Sequence, residues 1–426
     1  MSSVYHSNLY KASVTYDGHF SHRSQQRLYK DWNDKHYSSR NEWEAETLKR
    51  LKSWGFNMLG AGCLASLERK GFAHTRYLMM GDELCFDKTD DTYWISLNEG
   101  RPCTAFPNVF HPDFPSICDN IARERCASEK DDPWLFGYFI DNELSWWGRS
   151  SRQTGMFDAV MKKRDRHSAK QALLAYVAQE LSIRGRSTNE WSNLPKSVQD
   201  EIKYGFLRLT AEKYFSITAA AIRRHDPNHL VLGARFAGLN GADPVVWEVA
   251  GKYCDAITFN CYPWADLERG EVMTDSSSRA KSIVEAFTER YERAGKPFLI
   301  TEWSFPATDT SCPCRYGGGQ RLRTQSERAK ASDLFARTLL SLPFLIGYDY
   351  FMWVDEPAAG ISDAFPEDSN YGLVNENGKP YGELVDVFTR LHSNLEKAIS
   401  SSCPKPIPDV LRGGVSLDTY KEKIGY

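Results

Sequence analysis

Apolar and polar positions along the chain follow two alternating patterns, short apolar runs and longer stretches with apolar residues at helical spacing. Helical spacing extends from Trp43 to Trp54, Gly55 ends that helix, and the run Phe56 to Leu59 follows as a strand. The same succession recurs within 204–236 and within 282–301. Because the strands are apolar throughout rather than at every second position, we expect helices to cover both faces of a parallel sheet.

These runs predict seven strands. They are Phe56 to Gly60, Tyr77 to Met80, Leu135 to Ile140, Leu230 to Phe236, Ala256 to Asn260, Pro297 to Thr301 and Leu345 to Trp353. With the intervening helices they indicate an α/β fold, a (β/α)8 TIM barrel, which needs an eighth strand ahead of the helix that begins near Asn41. The first forty residues offer only "VYHSNLYKASVTY", a poor buried strand because of Lys11 and its mixture of Ser and His. The first strand is therefore expected to be disguised there or missing.

This interpretation divides the chain into three parts. Residues 1–40 form an N-terminal segment, irregular or holding the disguised strand, 41–400 form the barrel domain, and 401–426 form an extended, proline-containing tail. Long insertions are expected in the βα loops, at 81–130, 144–200 and 304–325. The middle insertion is predicted to hold a helix at Arg164 to Arg184.

Charge and composition narrow the class of partner. The 426 residues include 53 basic and 56 acidic side chains, a formal net charge of -3, so neither nucleic acid nor a membrane is predicted as a partner. The 12 Trp and 21 Tyr supply flat rings that suit the faces of sugars as well as protein cores. The first twenty residues lack the features of a secretory signal. Localisation stays open, cytoplasmic for the chain as given and periplasmic or secreted for a longer precursor.

Two of the ten cysteines, Cys312 and Cys314, are close together in the sequence. A lone Cys-Pro-Cys with no second Cys or His pair nearby is a weak indication of a metal or redox site, and an ordinary loop is favoured. No metal and no cofactor is predicted. The loop that they open, 312–323, contains three successive glycines and is expected to form a mobile rim. A phosphate-binding loop is excluded because Gly-Lys-Ser or Gly-Lys-Thr is missing.

Carboxylates follow two of the apolar strands directly. Glu143 comes after "LFGYFI" and Glu302 comes after "PFLIT". In a parallel barrel the loops after the strands form the active site, so carboxylates on strands three apart face each other across its mouth. A single glutamate after a strand is usually a solvated loop residue, and it is the conjunction of two that indicates chemistry. Glycosidic bond cleavage needs such a pair, one protonated for the leaving oxygen and one ionised to attack the anomeric carbon.

Several sequence blocks together resemble a known clan. "DDPWLFGYFIDNELSW", "DPNHLVLGARF", "FLITEWSF", "TQSERA", "GYDYFMWVDEP" and "SNYGLVNENGKPY" are similar to the β-agarase and β-galactosidase-like branch of the retaining (β/α)8-barrel glycoside hydrolases. The blocks run over 43–392, which is most of the chain. The resemblance implies a hydrolase that degrades a galactose-containing β-glycan by double displacement, with an oligosaccharide or polysaccharide as its partner and no cofactor. Members of this branch begin with a strand ending in a Gly-Val-Asn type motif, which is not found upstream of Asn41.

The resemblance assigns the reacting groups. It implies that Glu143 is the general acid and base, that Asn142 hydrogen-bonds the sugar 2-hydroxyl, and that Glu302 is the nucleophile. Asp141 is expected to support the site by pointing back into the strand layer. Glu143 then needs a raised pKa, from neighbouring aromatic rings and the charge of Glu302, to be protonated near neutral pH.

The same resemblance implies further substrate-binding residues. Asn260 and Tyr262 follow the next inward strand, where the tyrosine hydroxyl would orient the nucleophile. Arg235 lies where the clan often has a basic residue that keeps the nucleophile ionised, and an ordinary salt bridge is the alternative. Trp353 matches the aromatic that floors the first sugar subsite, and core packing is the alternative. Looser candidates for subsite walls are Trp146, Trp147 and Trp303.

Other functions stay open at the sequence level. The same chemistry could act on another β-glycan, a glucan or mannan, because barrel loops diverge while the acid pair is kept. A carbohydrate-binding barrel that has lost turnover is a second class, against which the intact Glu143 and Glu302 argue. A metal-dependent barrel hydrolase is a third, and the absence of a His-x-His pair in the sequence argues against it. Endo or exo action and the oligomeric state are not determined.

Overall fold

The computed structural model describes residues 2–5, 39–63, 65–81, 92–96, 105–146, 155–361 and 366–401. The predicted tail, apart from its first residue, most of the segment 1–40 and Trp147 lie outside the described residues. The division of the chain into three parts therefore stays a prediction.

Within the described ranges, nine strands form one sheet and every neighbouring pair in it is parallel. The strands are β1 (Ser2–Tyr5), β2 (Met58–Leu59), β3 (Ala73–Tyr77), β6 (Leu135–Phe139), β7 (Leu230–Val231), β8 (Phe236–Ala237), β9 (Ile257–Asn260), β12 (Phe298–Glu302) and β13 (Leu345–Phe351). Their order across the sheet is β7-β6-β3-β2-β1-β13-β12-β9-β8. Two antiparallel hairpins stand apart, β4 (Trp94–Ser96) with β5 (Ala105–Pro107) and β10 (Trp264–Asp266) with β11 (Glu271–Met273).

The strand that the sequence disguised is β1. It pairs with β13 through Ser2 to Tyr5 and with β2 through Ser3 and Val4, so it fills the place between them in the sheet. Val4 and Tyr5 are the first two residues of the stretch 4–16 in which a disguised strand is expected, and Ser2 and Ser3 precede that stretch. The backbone of the neighbouring strands, rather than an apolar pattern of its own, supplies its hydrogen-bonding partners.

Helices follow most strands and cover the sheet. In the part of the chain that is described they are α1 (Arg40–Ser53), α2 (Phe114–Cys126), α3 (Gly155–Met161), α4 (Ser168–Ile183), α5 (Lys196–His225), α6 (Pro244–Tyr253), α7 (Ile283–Ala294), α8 (Gln325–Leu340) and α9 (Gly382–Ser401). Several begin at a capping side chain, as where the Ser282 hydroxyl accepts from the Glu285 N–H. None of these helices is both long and apolar enough to cross a membrane.

The predicted elements are mostly present, with shifted boundaries. The helix expected at Arg164 to Arg184 is α4, and the insertion around it also holds α3 and the first residues of α5. The strand expected at Tyr77 to Met80 is wrong by several residues, because β3 begins at Ala73. Its first residues include His74 and Thr75, which are buried although they are polar, so the apolar pattern missed them.

The two end strands of the sheet, β7 and β8, are consecutive along the chain, and Leu232 to Arg235 connect them. The connecting residues bond to both ends of the sheet. Toward β6, the Leu232 N–H donates to the Tyr138 carbonyl and the Ile140 N–H donates to the Gly233 carbonyl, both at 2.8 Å. Toward β9, the Arg235 N–H donates to Oγ1 of Thr258 at 3.1 Å.

The core divides into a large and a small hydrophobic cluster. The large cluster lies between the sheet and the helices and includes the rings of Trp43, Trp146, Trp247 and Trp303. The small one collects side chains from well-separated places in the sheet order, namely Ala61, Phe139, Leu232, Ala256 and Leu299. Residues from strands far apart in that order therefore contact one another.

Candidate active site

Glu143 lies just beyond the end of β6, in a backbone turn that its neighbours hold. Its φ of 52° is in the left-handed region, which non-glycine residues seldom adopt. The preceding Asp141 is fully buried, and both of its carboxylate oxygens accept from the Gly81 N–H, at 2.7 and 2.9 Å. The Tyr214 hydroxyl donates to the same carboxylate. Asp141 thus bonds to the segment after β3 and to α5, which covers the sheet, and through these bonds it anchors the turn that carries Glu143.

Glu302 ends β12, and an irregularity in the pairing with β9 sets its direction. The register shifts between Ile300 and Glu302, so that Glu302 lies opposite Asn260. Such a bulge re-aims the side chains beyond it. The Glu302 side chain is buried, at 9% residue exposure, whereas Glu143 is exposed.

Arg235 joins the two strand ends. Its guanidinium donates through Nη2 to Oε1 of Glu302 at 2.9 Å and to the Thr301 carbonyl at 2.7 Å, and through Nη1 to Oδ1 of Asn142 at 2.6 Å. The side chain has no exposed surface, and the guanidinium carbon lies 4.9 Å from the ring centre of Tyr77. A buried charge with these charge-assisted bonds is positioned far more rigidly than an exposed salt bridge.

A backbone hydrogen bond also joins Arg235 and Glu143. Arg235 has a φ of 44°, again left-handed, and its carbonyl accepts from the Glu143 N–H at 3.1 Å. Two non-glycine residues in a sparsely populated conformation cost about 1–3 kcal/mol each and persist only where the surroundings hold them. Such conformations cluster at functional sites, and Arg69, Met79 and Cys314 are further non-glycine residues of the described chain with a positive φ.

Asn260 and Tyr262 complete the connections between the two glutamates. Nδ2 of Asn260 donates to Oε1 of Glu143 at 2.7 Å and to Oδ1 of Asn142 at 3.3 Å. The Tyr262 hydroxyl donates to Oε2 of Glu302 at 3.0 Å. Six of the residues that the sequence singled out therefore form one hydrogen-bonded group, Glu143, Asn260, Asn142, Arg235, Glu302 and Tyr262.

The two carboxyl groups differ in their protonation. Burial among protein atoms and then the charge of Glu302 raise the pKa of Glu143 to about 7, although its surface meets solvent. Burial also raises the pKa of Glu302, against the lowering effect of Arg235 and Tyr262. Since Glu302 accepts from a guanidinium and a phenol whereas Glu143 accepts from one amide, a proton held by the pair resides on Glu143.

Sequence reasoning missed other acidic groups around this pair. Asp349 on β13 is fully buried, and burial raises its pKa to about 8, with Arg235 opposing. Its position inside the apolar run "GYDYF" was a visible signal. Glu367 is half-buried, and its charge contributes to the raised pKa of both Glu143 and Glu302. No sequence pattern indicated Glu367, which is far from both in the chain.

The glycine-rich loop 312–323 packs beside Tyr262. A Cβ at Gly319 would lie 3.4 Å from the Tyr262 ring, and one at Gly317 would lie 2.4 Å from the Tyr371 hydroxyl. That hydroxyl donates to the Gly318 carbonyl at 2.6 Å. The glycines thus let the loop approach two aromatic rings closely. The predicted rim position agrees with this packing, and its mobility stays a prediction.

Three of the four tryptophans expected to contact substrate, Trp146, Trp303 and Trp353, are core residues. Trp303 has no exposed surface, and its ring packs against Phe335 and Tyr350. It follows Glu302 directly, and successive side chains at a strand end point to opposite faces, so Trp303 faces the helices. The prediction that Trp303 binds substrate is therefore corrected.

The prediction that Trp353 floors a sugar subsite is also corrected. It is 2% exposed, and its ring centre lies 5.7 Å from that of Trp54, so the core-packing alternative holds. Phe351, two residues earlier, is half-buried and packs edge-on against the Tyr262 ring, at 6.4 Å. Trp146 is likewise buried, in contact with the ring of Phe215.

Cys312 and Cys314 are buried free thiols. Sγ of Cys312 contacts Oδ2 of Asp355 at 3.7 Å, and Sγ of Cys314 contacts the Ala307 carbonyl at 3.5 Å. Burial raises the pKa of both thiols, which favours the inert protonated form. The ordinary-loop interpretation fits this geometry.

The arrangement combines a protonated carboxyl that reaches solvent with a carboxylate held by a guanidinium and a phenol. The first can donate a proton to a bound oxygen, and the second can attack an electrophilic carbon. The Asn142 amide oxygen already accepts from Arg235 and Asn260, so its NH2 group is the part left to donate to a ligand.

The chain is similar to β-agarases. It is 24% identical to β-agarase B of Vibrio sp. (strain JT0107) over 377 residues, which are 83% of this chain and 36% of that protein. An exo-β-agarase structure matches with a TM-score of 0.71 and 21% identity, over 88% of this chain and 50% of that one. The agarase AgWH50C matches with a TM-score of 0.69 and 23% identity, over 84% and 49%. The resemblance to the β-agarase branch is thereby confirmed, and the solved structures share the fold.

The chain spans 36% and 38% of the length of the two curated β-agarases that it matches. No family model matches it.

Proposed function

We propose that this protein is a retaining glycoside hydrolase that cleaves β-glycosidic bonds in a galactose-containing glycan of the agar type. The observation that carries the proposal is the unbroken set of hydrogen bonds from Glu143 through Asn260, Asn142 and Arg235 to Glu302. This set supports two carboxyl groups acting on one bound sugar.

In the first step Glu143, protonated, donates its proton to the glycosidic oxygen while Oε2 or Oε1 of Glu302 attacks the anomeric carbon. The bond from that carbon to the oxygen breaks, the alcohol leaves, and a glycosyl ester of Glu302 remains. Arg235 and Tyr262 keep Glu302 oriented for attack. Asn142 donates to the sugar 2-hydroxyl.

In the second step the charge of Glu302 is absent because it is esterified. The pKa of Glu143 then falls, since that charge contributed to raising it. Glu143, now a carboxylate, takes a proton from water as the water oxygen attacks the anomeric carbon from the face that the alcohol left. The bond from that carbon to the Glu302 oxygen breaks, which releases the sugar and restores the Glu302 carboxylate. Two inversions give net retention of configuration.

The proposal includes closure of the sheet into a (β/α)8 barrel. The hydrogen bonds of Leu232 to Arg235 toward both β6 and β9 support counting β7 and β8 as one strand, interrupted by the left-handed Arg235, which makes eight strands with the other seven. The small apolar cluster, with members from strands far apart in the sheet order, fits the interior of such a ring.

The galactose-containing substrate rests on the similarity to β-agarases, and the geometry of the acid pair alone does not select a sugar. A panel of agaro-, cello- and manno-oligosaccharides, with products separated by chromatography, tests it. We expect cleavage of the agar-derived oligosaccharides. Cleavage of only the gluco- or manno-oligosaccharides would reassign the substrate, and binding without cleavage would indicate a silent carbohydrate-binding barrel.

The stereochemical course tests the mechanism separately. ¹H NMR of the first product should show the β-anomer before mutarotation, and an α-anomer would contradict retention. Azide added to Glu302→Gly with an activated donor should give an α-glycosyl azide, and azide added to Glu143→Ala should give the β-azide. Glu248→Gln is the control, because Glu248 lies on α6 and pairs with Arg208. Azide products of the reverse configuration would mean that Glu143 is the nucleophile and Glu302 the general acid and base.

A further inference from the structure

A second cluster of charged groups lies near the start of β3, away from the acid pair. His74 is the second residue of β3, and its N–H donates to the Trp134 carbonyl just before β6. Glu143, by contrast, follows the far end of β6. Because the strands are parallel, His74 belongs to the opposite edge of the sheet from the proposed catalytic site.

The His74 imidazole is buried without a hydrogen bond. It has no exposed surface, and neither of its nitrogens has a hydrogen-bond partner among the described residues. Nε2 faces two carboxylates, at 3.7 Å from Oδ2 of Asp132 and 3.8 Å from Oε2 of Glu68. The same Oε2 of Glu68 is buried and also lacks a partner in the part of the chain that is described. Leaving such groups unpaired costs about 1–3 kcal/mol each.

The distances from Nε2 of His74 to the two carboxylate oxygens fit a bound ion between these atoms better than a direct hydrogen bond. A shared proton would need donor and acceptor within about 3.2 Å. Two metal–ligand bonds of roughly 2.0–2.2 Å that meet at an obtuse angle span such a gap. One oxygen of Glu129 also lies within 4.8 Å of the donor atoms of His74 and Asp132.

Two arginines hold the carboxylates from the outer side. Nη1 of Arg76 donates to Oε1 of Glu68 at 2.7 Å, which leaves Oε2 directed at His74. Nε of Arg69 donates to Oδ2 of Asp132 at 2.6 Å. The Arg69 and Arg76 side chains are 48% and 26% exposed, so they reach solvent while the imidazole does not. Outer groups that fix ligand carboxylates in this way are typical of metal sites.

The local charge also favours a cation. Glu68, Glu129 and Asp132 contribute three negative charges when ionised, and Arg69 and Arg76 contribute two positive ones. These five side chains together carry one net negative charge, and a neutral imidazole adds none. An imidazole nitrogen with carboxylate oxygens is a donor set that suits zinc and manganese.

We propose that His74, Asp132 and Glu129, whose donor atoms lie within 4.8 Å of one another, bind one divalent transition-metal ion, Zn²⁺ or Mn²⁺, with Glu68 beside them. The ion is structural. It joins β3 to the turn before β6, and it takes no part in the glycosidase reaction.

The test uses the full chain after dialysis against a chelator, titrated with MnCl2 and with ZnCl2. We expect one equivalent of Mn²⁺ to bind, since manganese discriminates against the thiols of the free cysteines. We also expect the thermal midpoint to rise by a few degrees with bound metal. X-ray absorption of the zinc form should show one imidazole nitrogen and oxygen ligands.

His74→Gln should weaken Mn²⁺ binding by about 100-fold or more. The matched control is His392→Gln, because His392 is also buried but its nitrogens bond to the Tyr348 hydroxyl and the Trp54 carbonyl. Asp132→Asn provides a second variant should His74→Gln fail to fold. Absence of stoichiometric uptake by the wild-type chain would overturn the site. So would uptake that His74→Gln and Asp132→Asn leave unchanged.

Discussion

Two carboxyl groups in this protein, Glu143 and Asp355, have pKa values raised to about 7, and burial is the largest cause for both. Their surroundings differ. Asp355 is 2% exposed, and its oxygens accept from the Gly372 N–H at 2.9 Å and the Tyr381 hydroxyl at 2.6 Å. Glu143 is exposed and accepts from the Asn260 amide. A raised pKa therefore identifies a reactive group only where a ligand can reach it.

The same contrast holds for the two arginines that are fully buried among the described residues. Arg235 donates to Glu302 and Asn142, at the open end of the strands. Arg328 donates to the Gly372 carbonyl at 2.8 Å and the Tyr350 hydroxyl at 2.9 Å, within the core beside Asp355. The region around Arg328 and Asp355 is a closed structural network, whereas the region around Arg235 and Glu143 opens to solvent.

The largest expected effect comes from removing the nucleophile. Glu302→Gln should lower kcat by about 10⁴-fold or more, because the covalent intermediate can no longer form. Asp355→Asn, the counterpart in the closed network, should keep kcat within several-fold. Initial rates on agar-derived oligosaccharides measure both. If circular dichroism shows that both variants are folded, comparable losses of kcat in the two would contradict the distinction between the two regions.

Removing the proton donor should come next. Glu143→Gln should reduce kcat by about 10²–10⁴-fold on oligosaccharides, since proton transfer to the leaving oxygen is lost. Aryl glycosides with acidic leaving groups need less protonation and should be affected less. A loss that does not depend on the leaving group would contradict the acid role.

The pH dependence follows from the pKa of Glu143. This carboxyl must be protonated to act, so kcat/KM should fall as the pH rises through about 7. Glu302→Gln removes a negative charge that stabilises the protonated form, so the pKa of Glu143 should shift downward in that variant. Rates across pH and NMR titration of the labelled carboxyl measure the two effects. An unchanged pKa would mean that the two carboxyl groups are not coupled.

Two tyrosines offer a matched pair of variants. The Tyr262 hydroxyl donates to Glu302 in the solvent-open region, and the Tyr381 hydroxyl donates to Asp355 in the closed network. Tyr262→Phe should lower kcat by about 10-fold, since Glu302 loses a donor, with little change in thermal midpoint. Tyr381→Phe should lower the free energy of unfolding by about 1–3 kcal/mol with kcat unchanged. Kinetics and denaturant unfolding of both variants separate the roles, and exchanged outcomes would reverse the assignment.

The smallest expected effect is a change in how the free energy of unfolding depends on pH. The folded-state pKa of Asp355 lies above its ordinary value of 3.8, so its contribution to stability is full below about 4 and is lost as the pH rises to about 7. Asp355→Asn should flatten the dependence of the unfolding free energy on pH in that window. Asp349 and Glu143 have raised pKa values too, so part of the slope should remain. An identical slope in the variant would contradict ionisation of Asp355 there.

The sequence predicted much of this site because its main signals are local. An apolar strand followed by a carboxylate is a short pattern, and it located Glu143 and Glu302 without knowledge of their neighbours. The alternation of strands and helices gave the α/β class for the same reason. Trp303 could have been excluded from sequence as well, because the residue after an inward-facing Glu302 must point outward at a strand end.

The tertiary structure alone decided the rest. The register shift before Glu302 and the left-handed backbone at Glu143 and Arg235 direct the side chains, and neither has a signature in residue type. Strand β1 was hidden because its pairing comes from the backbone of β2 and β13. His74 gained its acidic neighbours through chain segments up to 58 positions away, as Asp132 illustrates. Local pattern fixes which elements form, whereas long-range packing fixes which side chains meet, and this chemistry depends on both.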